Sequence, residues 1–270
     1  MKNKAIGIFD SGLGGLTAVR EIVEIMPNED IVYFGDTGRV PYGSKSREAI
    51  SKYARQDARF LKKMGVKIIV AACGTVSSVA PDLSDELGLP YTGVVYPTCF
   101  TAMNTTRNGK IGVIGTAATI NSHSYKRRIC EKHPEFEVYE QHCQLFVSFV
   151  ENGLVDPDDE LVRLMVKRYM APLKESGVDT LILGCTHFPL LAEAIGREMG
   201  SGVTLIDSGK ETAIYTKKIL TEQGLLNDSG EKGSARFFVS DTPADFEKYA
   251  GLFLKESPHN NVEHINIEEY

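Results

Sequence analysis

The chain has 270 residues, 42% hydrophobic and 24% charged, with 36 acidic against 30 basic side chains and a net charge of −6. That balance suits one large or two modest globular domains with a substantial core, excludes wholesale disorder, and gives no electrostatic footing for a nucleic-acid partner. Its apolar runs are strand-sized, its first residues lack a secretory apolar region, and its five cysteines have no compact spacing. The expected setting is therefore a reduced cytoplasm, with no membrane partner and no disulfide framework.

Ten short runs rich in β-branched residues read as strands: 5–9, 30–34, 66–71, 91–95, 110–114, 136–139, 179–183, 202–206, 236–240 and 262–266. After the first, Leu16, Val19, Ile22, Val23 and Met26 recur at helical spacing, and Pro27 predicts where that helix closes. Strands that are apolar almost throughout, alternating with amphipathic stretches, predict an α/β fold with mainly parallel sheets covered on both faces. Ligands of such sheets bind beyond the carboxyl ends of the strands, so the loops there matter most.

The chain also resembles itself. IGIFDSGLGG (6–15) parallels IGVIGTAATI (111–120), and Ala71-Ala72-Cys73-Gly74-Thr75 parallels Leu183-Gly184-Cys185-Thr186-His187. Two pseudo-symmetric α/β lobes facing across a cleft are expected. The first comprises residues 1–97 and 208–270 and the second 98–207, with crossings near Tyr96-Pro97-Thr98 and Asp207-Ser208-Gly209.

Taken in order, the loops differ in what they offer. In DSGLGG (10–15) backbone N–H groups can hold an anion, or the glycines can simply permit a tight turn. Asp10 would repel a phosphate there and suits an ammonium group or a catalytic partner. The stretch from Arg39 to Ser44, after Asp36, reads as a surface turn. Cys73 alone is a packing thiol on general grounds. Thr116, Thr119 and Ser122 follow a strand and suit either a helix cap or a ligand. Cys185 with His187 is the sharpest signal, because the internal repeat gives Cys185 a counterpart in Cys73. Asp10 lies near one thiol in the topology and His187 near the other. Cys99, Cys130 and Cys143 lack that context and read as structural.

Paired thiols suit inversion at a carbon. One group removes a proton from one face while another returns a proton to the opposite face, and the roles exchange for the other enantiomer. A cysteine pKa near 8.5 serves both roles near neutral pH. Hydroxyl and backbone donors would hold carboxylates and offset the carbanion charge. Competing readings are a Cys–His hydrolase or transferase using Cys185 and His187 alone, a zinc protein ligated by Cys73, Cys185 and His187, and a non-catalytic amino-acid-binding module.

The motifs Phe9-Asp10-Ser11-Gly12-x-Gly14-Gly15, Tyr33-Phe34-Gly35-Asp36-x-x-Arg39-x-Pro41-Tyr42-Gly43, Ala72-Cys73, Gly112-Val113-Ile114-Gly115-Thr116 and Leu183-Gly184-Cys185-Thr186-His187-Phe188-Pro189-Leu190 resemble the glutamate racemase family. The resemblance implies cofactor-independent, metal-free interconversion of L- and D-glutamate, supplying D-glutamate to peptidoglycan in the bacterial cytoplasm, often as a homodimer. An aspartate racemase of the same superfamily is the nearest alternative. It implies Cys73 and Cys185 as the acid/base pair, with Asp10 assisting Cys73, His187 assisting Cys185 and Glu151 orienting the histidine. Ser11, Tyr42, Gly43, Thr75, Thr116, Thr119 and Thr186 would hold glutamate. At Gly74 the family has asparagine, a substrate contact. A water or a neighbouring side chain is expected to fill that gap, and Gly74→Asn is expected to change KM or preference without abolishing turnover.

Overall fold

In the computed structural model, which describes residues 1–80, 82–254 and 261–270, the apolar runs pair into two wholly parallel sheets. The first half supplies β1 (Ile6–Asp10), β2 (Ile31–Gly35), β3 (Ile68–Ala71) and β4 (Tyr91–Gly93). The second supplies β5 (Lys110–Gly115), β6 (Glu137–His142), β7 (Thr180–Leu183) and β8 (Thr204–Asp207). β9 (Ala235–Val239) and β10 (Val262–His264) then extend the first sheet. Its order is β10-β9-β2-β1-β3-β4, and that of the other sheet is β6-β5-β7-β8. Strand for strand, β2-β1-β3-β4 repeats as β6-β5-β7-β8, so the likeness read in the sequence is a likeness of topology. All ten predicted runs form strands. The fourth is shorter than its apolar run because Val95 already begins a helix.

Helices fill the intervals: α1 (Leu16–Ile25), α2 (Arg47–Lys63), α3 (Gly74–Val79), α4 (Ser84–Leu87), α5 (Val95–Thr105) and α6 (Ala117–Asn121). They continue with α7 (Ser124–Lys132), α8 (Gln144–Glu151), α9 (Glu160–Glu175), α10 (Ala192–Met199), α11 (Ser208–Glu222) and α12 (Pro243–Leu254). α1 buries Leu16, Val19 and Ile22 as its spacing predicts and ends two residues before Pro27. Val23, at the edge of the same stripe, is 38% exposed. Side-chain caps start the longer helices: Ser46 accepts from Ala49 N, Asp159 from Leu161 N and Asp207 from Gly209 N. Every side chain of β1, β2, β3 and β7 is buried, which is what helices on both faces of a parallel sheet require. One apolar cluster runs from Ile6 and Ile8 through to Leu181 and Leu183, so the two sheets share a core. Among the described residues no helix is long and apolar enough to cross a membrane.

At the end away from the strand-tip loops, a buried ion pair joins distant segments. Lys67 Nζ lies 2.5 Å from Glu29 Oε2 and donates to the carbonyls of Lys2 and Leu225 at 2.6 and 2.9 Å, while Glu29 Oε1 accepts from Asn227 N at 2.8 Å. Both side chains are 1% exposed. Removing one partner leaves a buried charge without compensation, so Lys67→Met should cost about 3–5 kcal/mol in urea denaturation. Adding Glu29→Leu to that variant should recover part of the loss.

Candidate active site

The site forms where β1, β3, β5 and β7 end. Asp10, the last residue of β1, is 1% exposed, and its Oδ2 accepts from Gly12 N at 3.2 Å and Gly15 N at 2.9 Å. Two amides of DSGLGG are thus taken by the loop's own carboxylate, so the loop is a turn built around Asp10. Tyr33 locks that turn by donating its hydroxyl to the Gly12 carbonyl at 2.6 Å.

Cys73 follows β3 and stands at the N-terminus of α3, where its thiol donates to Ser11 Oγ at 3.6 Å. Burial, and then the charge of Asp10, push this thiol well above the ordinary cysteine range, so Cys73 is held protonated. Cys185 follows β7. Its Sγ lies 3.8 Å from His187 Nδ1, and His187 Nε2 lies 3.1 Å from Glu151 Oε1 at the end of α8. Burial alone would lower the imidazolium, but its contacts with Cys185 and Glu151 outweigh that and lift it to about 10. One thiol therefore carries its proton in apolar surroundings, and the other sits beside a favoured cation.

Both sulfurs line one cavity of about 170 Å³, together with Ser11, Thr75, Thr116, Thr186, His187 and Glu151. The volume lies well below the ~300–1,000 Å³ of pockets for drug-sized ligands and suits a small metabolite. Tyr42, Gly43 and Gly74 also line it. Asp10 and Thr119 do not. Asp10 sits behind Ser11, and Thr119 Oγ1 is 3.1 Å from Thr116 Oγ1. Thr116 serves two ends at once: it caps α6 by accepting from Thr119 N, and it meets Thr75 Oγ1 at 3.0 Å. Thr186 is braced from the first half by Thr17 Oγ1, which donates to its carbonyl at 3.0 Å.

Three expectations need correction. The segment 39–44 is not simply a surface turn. Arg39 donates to Asp36 at 2.6 Å, to Gln56 at 2.6 Å and to Asp57 and Glu268 at 3.1 Å, and Tyr42 is 1% exposed. Tyr42 lines the cavity with its hydroxyl already engaged by Asp36 and Asp57. Burial, followed by the neighbouring Asp36, raises the Asp57 carboxyl well above the usual range. Finally, Gly74 borders the cavity, but the direction in which a side chain would leave its backbone is taken by the backbone of Gly184 and Cys185. A Cβ built there would fall inside contact distance of the Gly184 carbonyl oxygen.

The remaining thiols point elsewhere. Cys99, Cys130 and Cys143 face the backbone carbonyls of Tyr125, Phe136 and Gln141 at 3.9, 3.9 and 3.8 Å. Among the described residues no three His, Cys, Asp or Glu side chains converge as metal ligands would. Sequence reasoning missed Gln144, Val147 and Ser148, which line the cavity with Glu151. Their signal was present: positions 144, 147, 148 and 151 share one face of α8, opposite buried Phe146 and Val150.

The profile of the family described as Asp/Glu/Hydantoin racemase matches residues 6–215. A glutamate racemase of Geobacter metallireducens is 46% identical over 252 residues, 93% of this chain and 93% of that one. The crystal structure of a Francisella tularensis glutamate racemase in complex with D-glutamate matches with a TM-score of 0.91 at 39% identity, covering 100% of both chains. An aspartate racemase of Picrophilus torridus shares the fold, with a TM-score of 0.56 at 17% identity over 83% of this chain and 99% of that one.

The His187 environment is directly measurable. Imidazole NMR should show an imidazolium that persists through neutral pH and is lost as pH rises through about 10. Glu151→Gln removes one of the raising contacts and should move that midpoint down. An unmoved midpoint would remove Glu151 from the role of positioning the histidine.

Proposed function

The chain belongs to the Asp/Glu/hydantoin racemase family, and we propose that it interconverts L- and D-glutamate by proton transfer at the α-carbon between Cys73 and Cys185. The observation that supports this most is the placement of two thiols at the ends of topologically equivalent strands, β3 and β7, on one small cavity. A Cys–His hydrolase would use Cys185 and His187 and leave Cys73 without a task. The paired arrangement uses both.

With glutamate between the sulfurs, one thiolate takes the α-proton and becomes a thiol. The carbanion then receives a proton from the other thiol, which becomes a thiolate. Atoms and charge balance, and the next substrate of opposite hand runs the same steps in reverse. Burial keeps Cys73 as the proton-bearing member, while the His187 imidazolium steadies negative charge at Cys185. Asp10, behind Ser11, supports Cys73, and Glu151 holds His187 from the far side of the ring. Hydroxyls of Ser11, Thr75, Thr116 and Thr186, with the wall at Tyr42 and Gly43, receive the two carboxylates. Thr119 acts through Thr116. As negative charge spreads onto the α-carboxylate in the transition state, donors already aimed there stabilise it without reorganising. The same reading carries two lobes, a homodimer and cytoplasmic delivery of D-glutamate to peptidoglycan synthesis.

Incubation with L-glutamate in heavy water, followed by chiral analysis, should yield D-glutamate deuterated at the α-carbon. A folded enzyme giving no D-glutamate would sink the proposal, and faster turnover of aspartate would reassign the substrate. Cys73→Ser and Cys185→Ser should each lower kcat by ~10²–10⁴-fold, the usual loss for a general acid or base. A hydrolase would instead tolerate the first substitution.

A further inference from the structure

Helix α8 lies along the cavity. Glu151, its last residue, meets His187 Nε2, and Gln144, its first, lines the same cavity about 10 Å away along the helix axis. Gln144 Oε1 accepts from the backbone N–H of Ala117 at 3.2 Å. A backbone N–H only donates, so this bond fixes which end of the carboxamide is oxygen. Nε2 is turned the other way, and its two N–H groups have no partner among the described residues.

The other side chains at this wall are already engaged. Gly43 abuts Thr116, a Cβ on Gly43 standing 3.0 Å from Thr116 Cβ. The Thr116 hydroxyl accepts from Thr119 N and meets Thr75 Oγ1 and Thr119 Oγ1 at 3.0 and 3.1 Å. The Tyr42 hydroxyl is taken by Asp36 and Asp57. The Gln144 amide is uncommitted. Of the two carboxylates of glutamate, one is bonded to the carbon between the sulfurs and so stays by Thr75 and Thr186, which neighbour the cysteines in the chain. The other stands two methylene groups further on. Gly43, Thr116, Ala117 and Gln144 flank neither cysteine, and theirs is the wall that the longer arm reaches.

We propose that Gln144 is a specificity-determining residue, its carboxamide N–H groups donating to the side-chain carboxylate of the bound amino acid. The inference rests on the two-thiol reading above. A hydrogen bond to a carboxylate is about twice as strong as one between neutral groups, so the contact favours an acid over its amide. The side-chain carboxylate takes no part in the charge change at the α-carbon. Substrate and transition state therefore feel the contact alike, and its loss falls on KM.

Two substitutions separate this role from the capping of Ala117 N. Gln144→Glu keeps an oxygen for that amide and puts a second oxygen, which repels a carboxylate, where the donor was. Gln144→Met removes donor and acceptor together. Each is compared with wild type on L-glutamate and L-glutamine, by racemisation and by α-proton exchange in heavy water. Gln144→Glu should raise KM for glutamate ~10–100-fold with kcat within ~3-fold of wild type. Its preference for glutamate over glutamine should narrow ~10-fold or more, because an amide substrate can donate to the new carboxylate. Gln144→Met should narrow the same preference ~3–10-fold. Equal losses on both substrates, or an unchanged KM for glutamate in Gln144→Glu, overturn the proposal. If Gln144→Glu does not fold, Gln144→Met decides, and an unchanged preference there overturns it. Failure of both variants to fold makes Gln144 a structural residue and overturns it as well. Wild type that neither inverts glutamate nor exchanges its α-proton would instead remove the two-thiol reading itself.

Discussion

Inversion at a tetrahedral carbon demands two proton-carrying groups at a fixed separation, and neither can be supplied by the same loop. The rest of the molecule is arranged around that separation. Repeating one strand order, β2-β1-β3-β4 as β6-β5-β7-β8, delivers a thiol from each half at the same topological position. Side chains are too compliant to hold such a distance alone. The halves therefore meet through backbone and short side chains: Thr17 on the Thr186 carbonyl and Thr75 against Thr116. A shared apolar core stands behind these contacts.

The halves repeat in topology but not in electrostatics. Cys73 has Ser11 beside it and a carboxylate behind, whereas Cys185 has an imidazole backed by Glu151. Two copies of one residue type thus stand in different electrostatic surroundings, so the two directions of proton transfer are not equivalent even though the thiols exchange roles with the enantiomer. Burial makes such differences strong and makes unpartnered charge costly. The charges beside the sulfurs are accordingly partnered: Asp10 Oδ2 by amides of its own turn, and His187 by Glu151, while Asp10 Oδ1 stays buried without a partner among the described residues.

The strands were legible because sheets buried on both faces need continuous apolar runs, and these stand out against polar loops. The equivalence of Cys73 and Cys185 was legible because each thiol ends such a run. Other features leave weaker marks. Arg39 looks like a loop cation until folding brings Gln56, Asp57 and Glu268 around it, and no local pattern encodes partners so far along the chain. The cavity face of α8 was encoded in helical spacing, yet residues 144–151 contain too few turns to announce it. The seating of one loop's carbonyl on Gly74 depends on how two sheets are set against each other. Composition and periodicity record nothing of that.

The turn around Asp10 bears on selectivity among metabolites. Many small anions of the cell are phosphate esters, and a glycine-rich loop opening a helix is where proteins commonly receive them. Here that receptor is filled from within, by a carboxylate that shares the chain and cannot diffuse away. Phosphorylated compounds meet a loop in which two amides are already taken by a carboxylate. The architecture inherits the geometry of a phosphate binder while being closed to phosphate, and this leaves the site to ligands whose own ammonium group can answer the charge beneath it.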